Sequence, residues 1–373
     1  MKPDIPFNDP FISKNSKDYI FDALHRKDIS GPGYYCARVN QFLSDHFSTP
    51  TRLTTSCTSA LEAAMTAIGV QQGDEVILPS YTFTSTANCV ALRGATPVFV
   101  DIDQNLFIDI ESLQSAINKK TKAILAVHIA GNCGDIDKLQ KIAEANSLFL
   151  IEDAAQAFGA TYKGKKLGTF GDIGTFSFHG TKNITCGEGG CIVINNKRLQ
   201  EKIDIILEKG TNRKKFYEGS IDKYEWVDLG SSYIPSDLIA AFLLGNLECY
   251  EFINNKRMKV WQSYDNFFKL FTPQNLEKMI TNKFCKHNAH MYYILIQDSE
   301  IRSKMITYLR QKSIGSAFHY VPLHSSPAGR KYGRAHGSLD LTTNVANRLL
   351  RLPMSIDTKF EVVIAAIKDF YTT

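Results

Sequence analysis

Residues 148–183 read LFLIEDAAQAFGATYKGKKLGTFGDIGTFSFHGTKN. Two short apolar runs, 148–152 (LFLIE) and 174–178 (GTFSF), flank a Gly-rich polar stretch. Asp153 follows the first run directly, and Lys182 lies four residues beyond the second. Short apolar runs bounded by turn residues predict buried strands. Four more runs share this form: 75–79 (EVILP), 97–101 (PVFVD), 123–128 (AILAVH) and 191–195 (CIVIN). With amphipathic stretches between them, they predict βα units around a mostly parallel sheet flanked by helices, an α/β fold. Such folds hold ligands at the carboxyl ends of their strands, where Asp153 would sit.

Helix signals lie on either side. Ser59 and Glu62 have the spacing of a capping box, Leu61, Ala64, Met65 and Ile68 share one face, and Gly69 supplies a stop. Ser236 would cap 238–247 (LIAAFLLGNL), a segment apolar nearly all round that calls for burial between layers or between subunits and so hints at an oligomer. Beyond about residue 248 come a charged stretch at 254–259, helix-like segments including 300–311, an apolar run at 290–296 (HMYYILI) and a strand candidate at 316–321. This divides the chain into a large domain, 1–250, with an N-terminal arm at 1–49, and a small α/β C-terminal domain, 251–373.

Composition narrows the function classes. With 43 Lys and Arg against 38 Asp and Glu, the net charge of +5 over 373 residues favours neither a nucleic-acid nor a membrane surface. No apolar run approaches the roughly 20 residues of a membrane span. The first thirty residues carry charges throughout and no apolar signal core, which places the protein in the cytoplasm. The eight cysteines form no C-x-x-C pair and the nine histidines lack accompanying ligands, so no metal site is expected.

Several catalytic motifs fail. Gly187, Gly189 and Gly190 precede a strand and lack dinucleotide-loop spacing; Gly180-Thr181-Lys182 is not a phosphate loop; no G-x-S-x-G or H-E-x-x-H occurs. Four positions remain. Asp153 alone reads equally as a strand-ending or capping residue, Lys182 as a solvated loop lysine, and Thr58 and Ser59 as ordinary residues of a helix start. Together they supply what pyridoxal phosphate requires: an amine for the Schiff base, a carboxylate for the ring nitrogen and helix amides for the phosphate. Phe83 in PSYTF adds a flat face for the ring, with core packing as its competitor.

The stretches TTSCTSALEAA, GDEVILPSYTFTSTAN, LRGATPVFVDID, residues 151–183, LGSSYIPSDLIAA and FHYVPLHSSPAG carry a likeness over nearly the whole chain. The sequence resembles the sugar aminotransferases among fold-type-I pyridoxal-phosphate enzymes, which act on nucleotide-linked keto sugars. The resemblance implies that Lys182 is the Schiff-base lysine and Asp153 the partner of the pyridine nitrogen. It also implies that Gln156 binds the ring hydroxyl, Phe83 stacks on the ring, and Thr58, Ser59 and Ser177 hold the phosphate. Relatives carry an asparagine that reaches the neighbouring subunit's phosphate, whereas this chain has Ser232 there. Arg213, Tyr233, Tyr320 and His324 are candidates for the nucleotide sugar. The implied reaction passes the amine of L-glutamate, through the pyridoxamine form, to C4 of dTDP-4-keto-6-deoxy-D-glucose. The product would serve cell-surface polysaccharide synthesis, made by a homodimer whose site lies at the subunit interface. Three alternatives stay open: amination at C3, a non-catalytic relative, and a deoxysugar dehydratase. The last carries histidine where this chain has Lys182.

Overall fold

All six apolar runs form strands of a single sheet in the computed structural model, which describes residues 3–27 and 29–372. Its seven longer strands are β1 (Thr51–Thr54), β2 (Glu75–Pro79), β3 (Thr96–Val100), β4 (Thr121–Val127), β5 (Phe149–Asp153), β6 (Ile173–Ser177) and β7 (Gly190–Ile194). The short strand Arg334–Ala335 completes the order β1-β7-β6-β5-β4-β2-β3-(334–335). Pairing is parallel from β6 through the 334–335 edge and antiparallel at β6/β7 and β1/β7. Helices on both faces bury the centre of the sheet, which is why its strands read as continuous apolar runs without alternation.

The helix of the expected capping box begins a turn earlier than predicted. It spans Cys57–Ala67 with Ser56 as N-cap, whose side chain accepts the Ser59 N–H at 3.0 Å. Glu62 does not reach back to the cap; its carboxylate instead accepts the Tyr233 hydroxyl at 2.9 Å. Gly69 lies at the predicted stop with φ +72°. Ser236 is the N-cap of Asp237–Leu247, although its side chain makes no capping bond. Asp237 caps a different helix, Tyr34–Phe47, by accepting the Tyr35 and Cys36 N–H groups at 2.9 and 2.7 Å. The Asp237–Leu247 helix packs against that helix and against Lys14–Arg26. Its all-round apolar surface is therefore covered largely by this chain, and the segment does not by itself call for a second copy.

The charged stretch 254–259 is part of one long helix, Tyr250–Leu270. After it, Glu277–Lys278, Tyr293–Leu295, Leu349–Arg351 and Ala317–Phe318 form a second, antiparallel sheet in that order. One apolar cluster runs without a break from Ala63 and Val76 to Tyr264 and Ile294, joining the two sheets. The N-terminal segment is stitched across the same region. Ile5 donates its N–H to Ser313 O at 3.1 Å and accepts from Gly315 N at 2.8 Å, and the Asn8 amide donates to Gly180 O at 2.8 Å. Among the described residues no helix is long and apolar enough to cross a membrane.

Candidate active site

The carboxyl ends of β4, β5 and β6 open into a cavity of about 570 Å³. Asp153, the last residue of β5, pairs in register between Val127 and Thr175. Its Oδ2 accepts the Thr86 hydroxyl at 2.8 Å and its Oδ1 the Ala155 N–H at 3.2 Å. Because the Thr86 hydrogen goes to the carboxylate, the Thr82 hydroxyl, 2.8 Å away, donates to Thr86. Burial pushes the Asp153 pKa up, opposed by the Thr86 and Ala155 hydrogen bonds and the charge of Lys182.

Lys182 sits in the loop between β6 and β7. Backbone bonds from Phe178 N to Gly189 O (2.7 Å) and from Gly180 N to Gly187 O (2.8 Å) pin that loop. The next residue, Asn183, anchors it further by donating to Asn288 O at 2.8 Å and Asn254 Oδ1 at 2.9 Å. Lys182 lines the cavity, and its ammonium makes no ion pair among the described residues. Burial lowers its pKa against the opposing pull of Cys57 and Asp153.

The third element is the start of the Cys57–Ala67 helix. A Cβ on Gly190 would lie 2.3 Å from Cys57 N, so only glycine lets this helix end rest on β7. That contact brings Thr58 to the cavity wall, where its hydroxyl bonds Ser85 at 2.8 Å. Ser59 lies behind the wall, bonded to Thr55 at 2.7 Å and Ser56 at 2.9 Å. Ser177 lines the cavity. Gln156 does too, accepting Ala130 N at 2.6 Å and donating to the Tyr320 hydroxyl at 2.9 Å. Phe83, 56% exposed, stands at the mouth with its ring centre 6.2 Å from that of Tyr320.

Seven of the residues expected from sequence therefore share one cavity: Thr58, Phe83, Asp153, Gln156, Ser177, Lys182 and Tyr320. Five others, Ser59 behind the wall and four farther off, lie outside its lining in this chain. Arg213 is on the short helix Arg213–Tyr217 and bonds the Tyr217 hydroxyl. Ser232 is exposed and bridges to Glu208. Tyr233 is bound to Glu62, and His324 Nδ1 is 2.7 Å from Ser80 Oγ. Sequence reasoning missed Thr82, His128, His290, His319 and Arg351, all of which line the cavity. Arg351 carried a readable signal, a cation inside the apolar run LLRLPM.

Residues 11–369 match the profile of the DegT/DnrJ/EryC1/StrS aminotransferase family. The chain belongs to that family. It is 32% identical to the GDP-perosamine synthase of Escherichia coli O157:H7 over 99% of both chains. An uncharacterized Methanocaldococcus jannaschii protein, MJ1066, is 38% identical over 84% of each chain. Among solved structures, the PLP form of a putative sugar aminotransferase, Spr1654 of Streptococcus pneumoniae, superposes with a TM-score of 0.90 at 27% identity, covering 99% of this chain and 98% of that one. Members of this family are pyridoxal-phosphate-dependent sugar aminotransferases, and this chain is one of them by sequence and by fold.

Proposed function

We propose that the cavity holds pyridoxal phosphate and that the protein passes the amino group of L-glutamate to C4 of dTDP-4-keto-6-deoxy-D-glucose, giving dTDP-4-amino-4,6-dideoxy-D-galactose. The observation that carries the cofactor reading is the meeting of Lys182 and Asp153 in one buried cavity at the ends of neighbouring strands. The donor set fits the group: an unpaired amine, a carboxylate held by two donors, and hydroxyls at a helix start. The cofactor, when bound, supplies a carbonyl that takes up amines and a ring that accepts electrons.

Each residue then has a stated task. Lys182 holds the cofactor covalently and, when released, carries a proton to and from the reacting carbon. Its lowered pKa makes the neutral amine available closer to neutral pH. Asp153 accepts the hydrogen bond of the protonated ring nitrogen. Gln156 has a second amide N–H to give to the ring hydroxyl. Thr58 and Ser177 hold the phosphate, Ser59 braces their turn from behind the wall with its N–H on Ser56 Oγ, and Phe83 covers the ring.

A nucleotide sugar exceeds the cavity, so its outer parts bind beyond the mouth. Tyr320 is the candidate within the cavity wall, and Arg213, Tyr233 and His324 are the candidates beyond it, Arg213 and Tyr233 on or beside an exposed segment of a neighbouring subunit. That segment leaves Trp226 77% and Leu229 57% exposed, a surface suited to a second copy of this chain. We infer a homodimer in which Ser232 approaches the partner's phosphate site, acting in the cytoplasm for cell-surface polysaccharide synthesis. The GDP-perosamine synthases among the relatives support a nucleotide-linked amino sugar as product.

The test is incubation with glutamate and either dTDP-4-keto-6-deoxy-D-glucose or GDP-4-keto-6-deoxy-D-mannose, with NMR of the product. An amine at C4 of the dTDP sugar in the galacto configuration is expected. Amination at C3, or conversion of the GDP sugar alone, would overturn the substrate assignment. A cofactor-loaded protein whose visible absorbance ignores glutamate would overturn the donor reading.

A further inference from the structure

Two cysteines far apart in sequence meet beside the supports of Gln156. Cys133 lies in the segment that follows β4, and Cys285 opens the short strand Cys285–Lys286, which pairs with Thr161–Tyr162. The two segments are clasped on both sides of Cys133. Asn132 Oδ1 accepts the Asn282 N–H at 3.1 Å, the Gly134 carbonyl accepts the Asn282 side-chain amide at 3.0 Å, and the Gly131 carbonyl accepts the Cys285 S–H at 3.6 Å. Within this clasp the two thiols are in hydrogen-bond contact. The same segments hold Gln156: Ala130 N donates to its side-chain carbonyl at 2.6 Å, and Asn288 Nδ2 to its backbone carbonyl at 2.9 Å. A Cβ on Gly131 would lie 2.1 Å from Asn288 Oδ1, so the segments are packed against each other closely.

The two sulfurs play unequal parts. Cys285 gives its hydrogen to Gly131, so within the pair Cys133 donates and Cys285 Sγ accepts. Cys133 is buried, and its thiol neighbour and that burial push its pKa up, so it keeps its proton. Cys285 is half-buried and is the sulfur that solvent reaches. Cys249 is half-buried too, but it has no sulfur partner among the described residues. The other six cysteines are buried. Attack by a solute needs access, and a bridge needs a second sulfur within reach; Cys285 has both.

We propose that Cys133 and Cys285 are a modification site, a dithiol that a hydroperoxide converts reversibly into an intrachain disulfide. The Cys285 sulfur, as thiolate, attacks the peroxide: an S–O bond forms, the O–O bond breaks, and water or an alcohol leaves after taking one proton from solvent. The Cys133 sulfur then attacks the Cys285 sulfur. The S–S bond forms, the S–O bond breaks, and the hydroxyl leaves as water with the Cys133 proton. The two electrons lost by the sulfurs are those that reduce the peroxide. In a reducing compartment the bridge is transient, because small thiols undo it by exchange. While it lasts it fastens the loop after β4 to the chain that leads into the second sheet, closing a long loop between the two supports of Gln156.

The test exposes the full chain, loaded with cofactor, to hydrogen peroxide, then alkylates it, digests it without reduction and maps the cysteines by mass spectrometry. A peptide cross-linked through Cys133 and Cys285 is expected, removed by dithiothreitol, together with a Tm about 5 °C above that of the reduced form. Cys133→Ala should strand Cys285 as sulfenic acid and raise its labelling by dimedone about tenfold over wild type. Cys285→Ser should leave Cys133 a free thiol after the same exposure and abolish the rise in Tm. Should the cavity left by Cys133→Ala prevent folding, the wild-type map and Cys285→Ser still decide the matter. Cys285 driven on to sulfinic acid while Cys133 stays free, a bridge to Cys249 or between molecules, or a Cys133–Cys285 bridge that leaves the Tm unchanged would each overturn the proposal.

Discussion

Glu152 and Asp153 are adjacent carboxylates on one strand, and strand alternation sends them to opposite faces of the sheet. On Glu152's side every acceptor site is filled. His128 Nε2 lies 2.8 Å from Oε2, and the N–H groups of Gly168 (2.8 Å), Phe170 (2.6 Å) and Gly171 (2.7 Å) complete the set. Although burial raises the pKa of Glu152, the His128 bond and charge and the backbone donors outweigh it, so the net shift is downward. Asp153 has two donors and an open cavity, and burial wins there: its net shift is upward. A carboxylate whose partners all come from its own chain is a structural pin, whereas one left short of partners is poised for a ligand.

The largest effect expected from this contrast is on turnover. Asp153→Ala should reduce kcat by about 10³-fold, because a preorganised charge opposite the cofactor ring is lost, while circular dichroism stays native. Glu152→Gln should do the opposite. It should lower stability by about 3 kcal/mol in denaturant titration, since His128 loses its anionic partner, and leave kcat per folded molecule within a few-fold. If Glu152→Gln matched Asp153→Ala in kcat, the division between the two faces would fail.

The pH dependence of stability sharpens the same point, measured on protein without cofactor. Glu152 has a depressed folded pKa, so its contribution is present above its unfolded value, near 4.5, and is lost as pH falls through the folded value. Asp153 has a raised folded pKa, so its contribution is lost as pH rises through that value. Asp153→Asn should therefore raise the Tm at neutral pH relative to wild type and lose that advantage in acid. Thr86→Val gives the smallest change, roughly tenfold in kcat, by removing a hydroxyl donor to a charged oxygen. Thr86→Ser should restore it, and a null effect would mean that Ala155 alone holds Asp153.

The central strands were legible because buried parallel strands are written as unbroken apolar runs, and Asp153 and Lys182 were legible from their offsets to those runs. The helix starts at Cys57, one turn before the start that a Ser59 cap predicts. Several hydroxyls in the run from Thr54 to Ser59 can serve as caps, and the choice among them depends on Gly190, more than 130 positions away. Thr82 and Thr86 were hidden for a related reason. In sequence they are two threonines of an ordinary helix start, and only packing against β5 makes Thr86 a donor to Asp153 and Thr82 a donor to Thr86. His324 and Tyr233 bond Ser80 and Glu62, partners 244 and 171 positions away that their sequence neighbours do not reveal.

The stitching of Ile5 to Ser313 and Gly315, and of Asn8 to Gly180, has a consequence in time. Residues near 5 emerge from the ribosome some three hundred positions before their strand partners exist. The N-terminal segment must therefore stay unpaired while the central sheet condenses. The cavity gains Arg351 and its Phe7 cover only after the last antiparallel strands arrive. Contacts of such long sequence separation form slowly, at about the pace of domain docking. A nascent chain would pass through a stage in which Lys182 is already in its loop but the wall facing it is still missing, with Arg351 open to water.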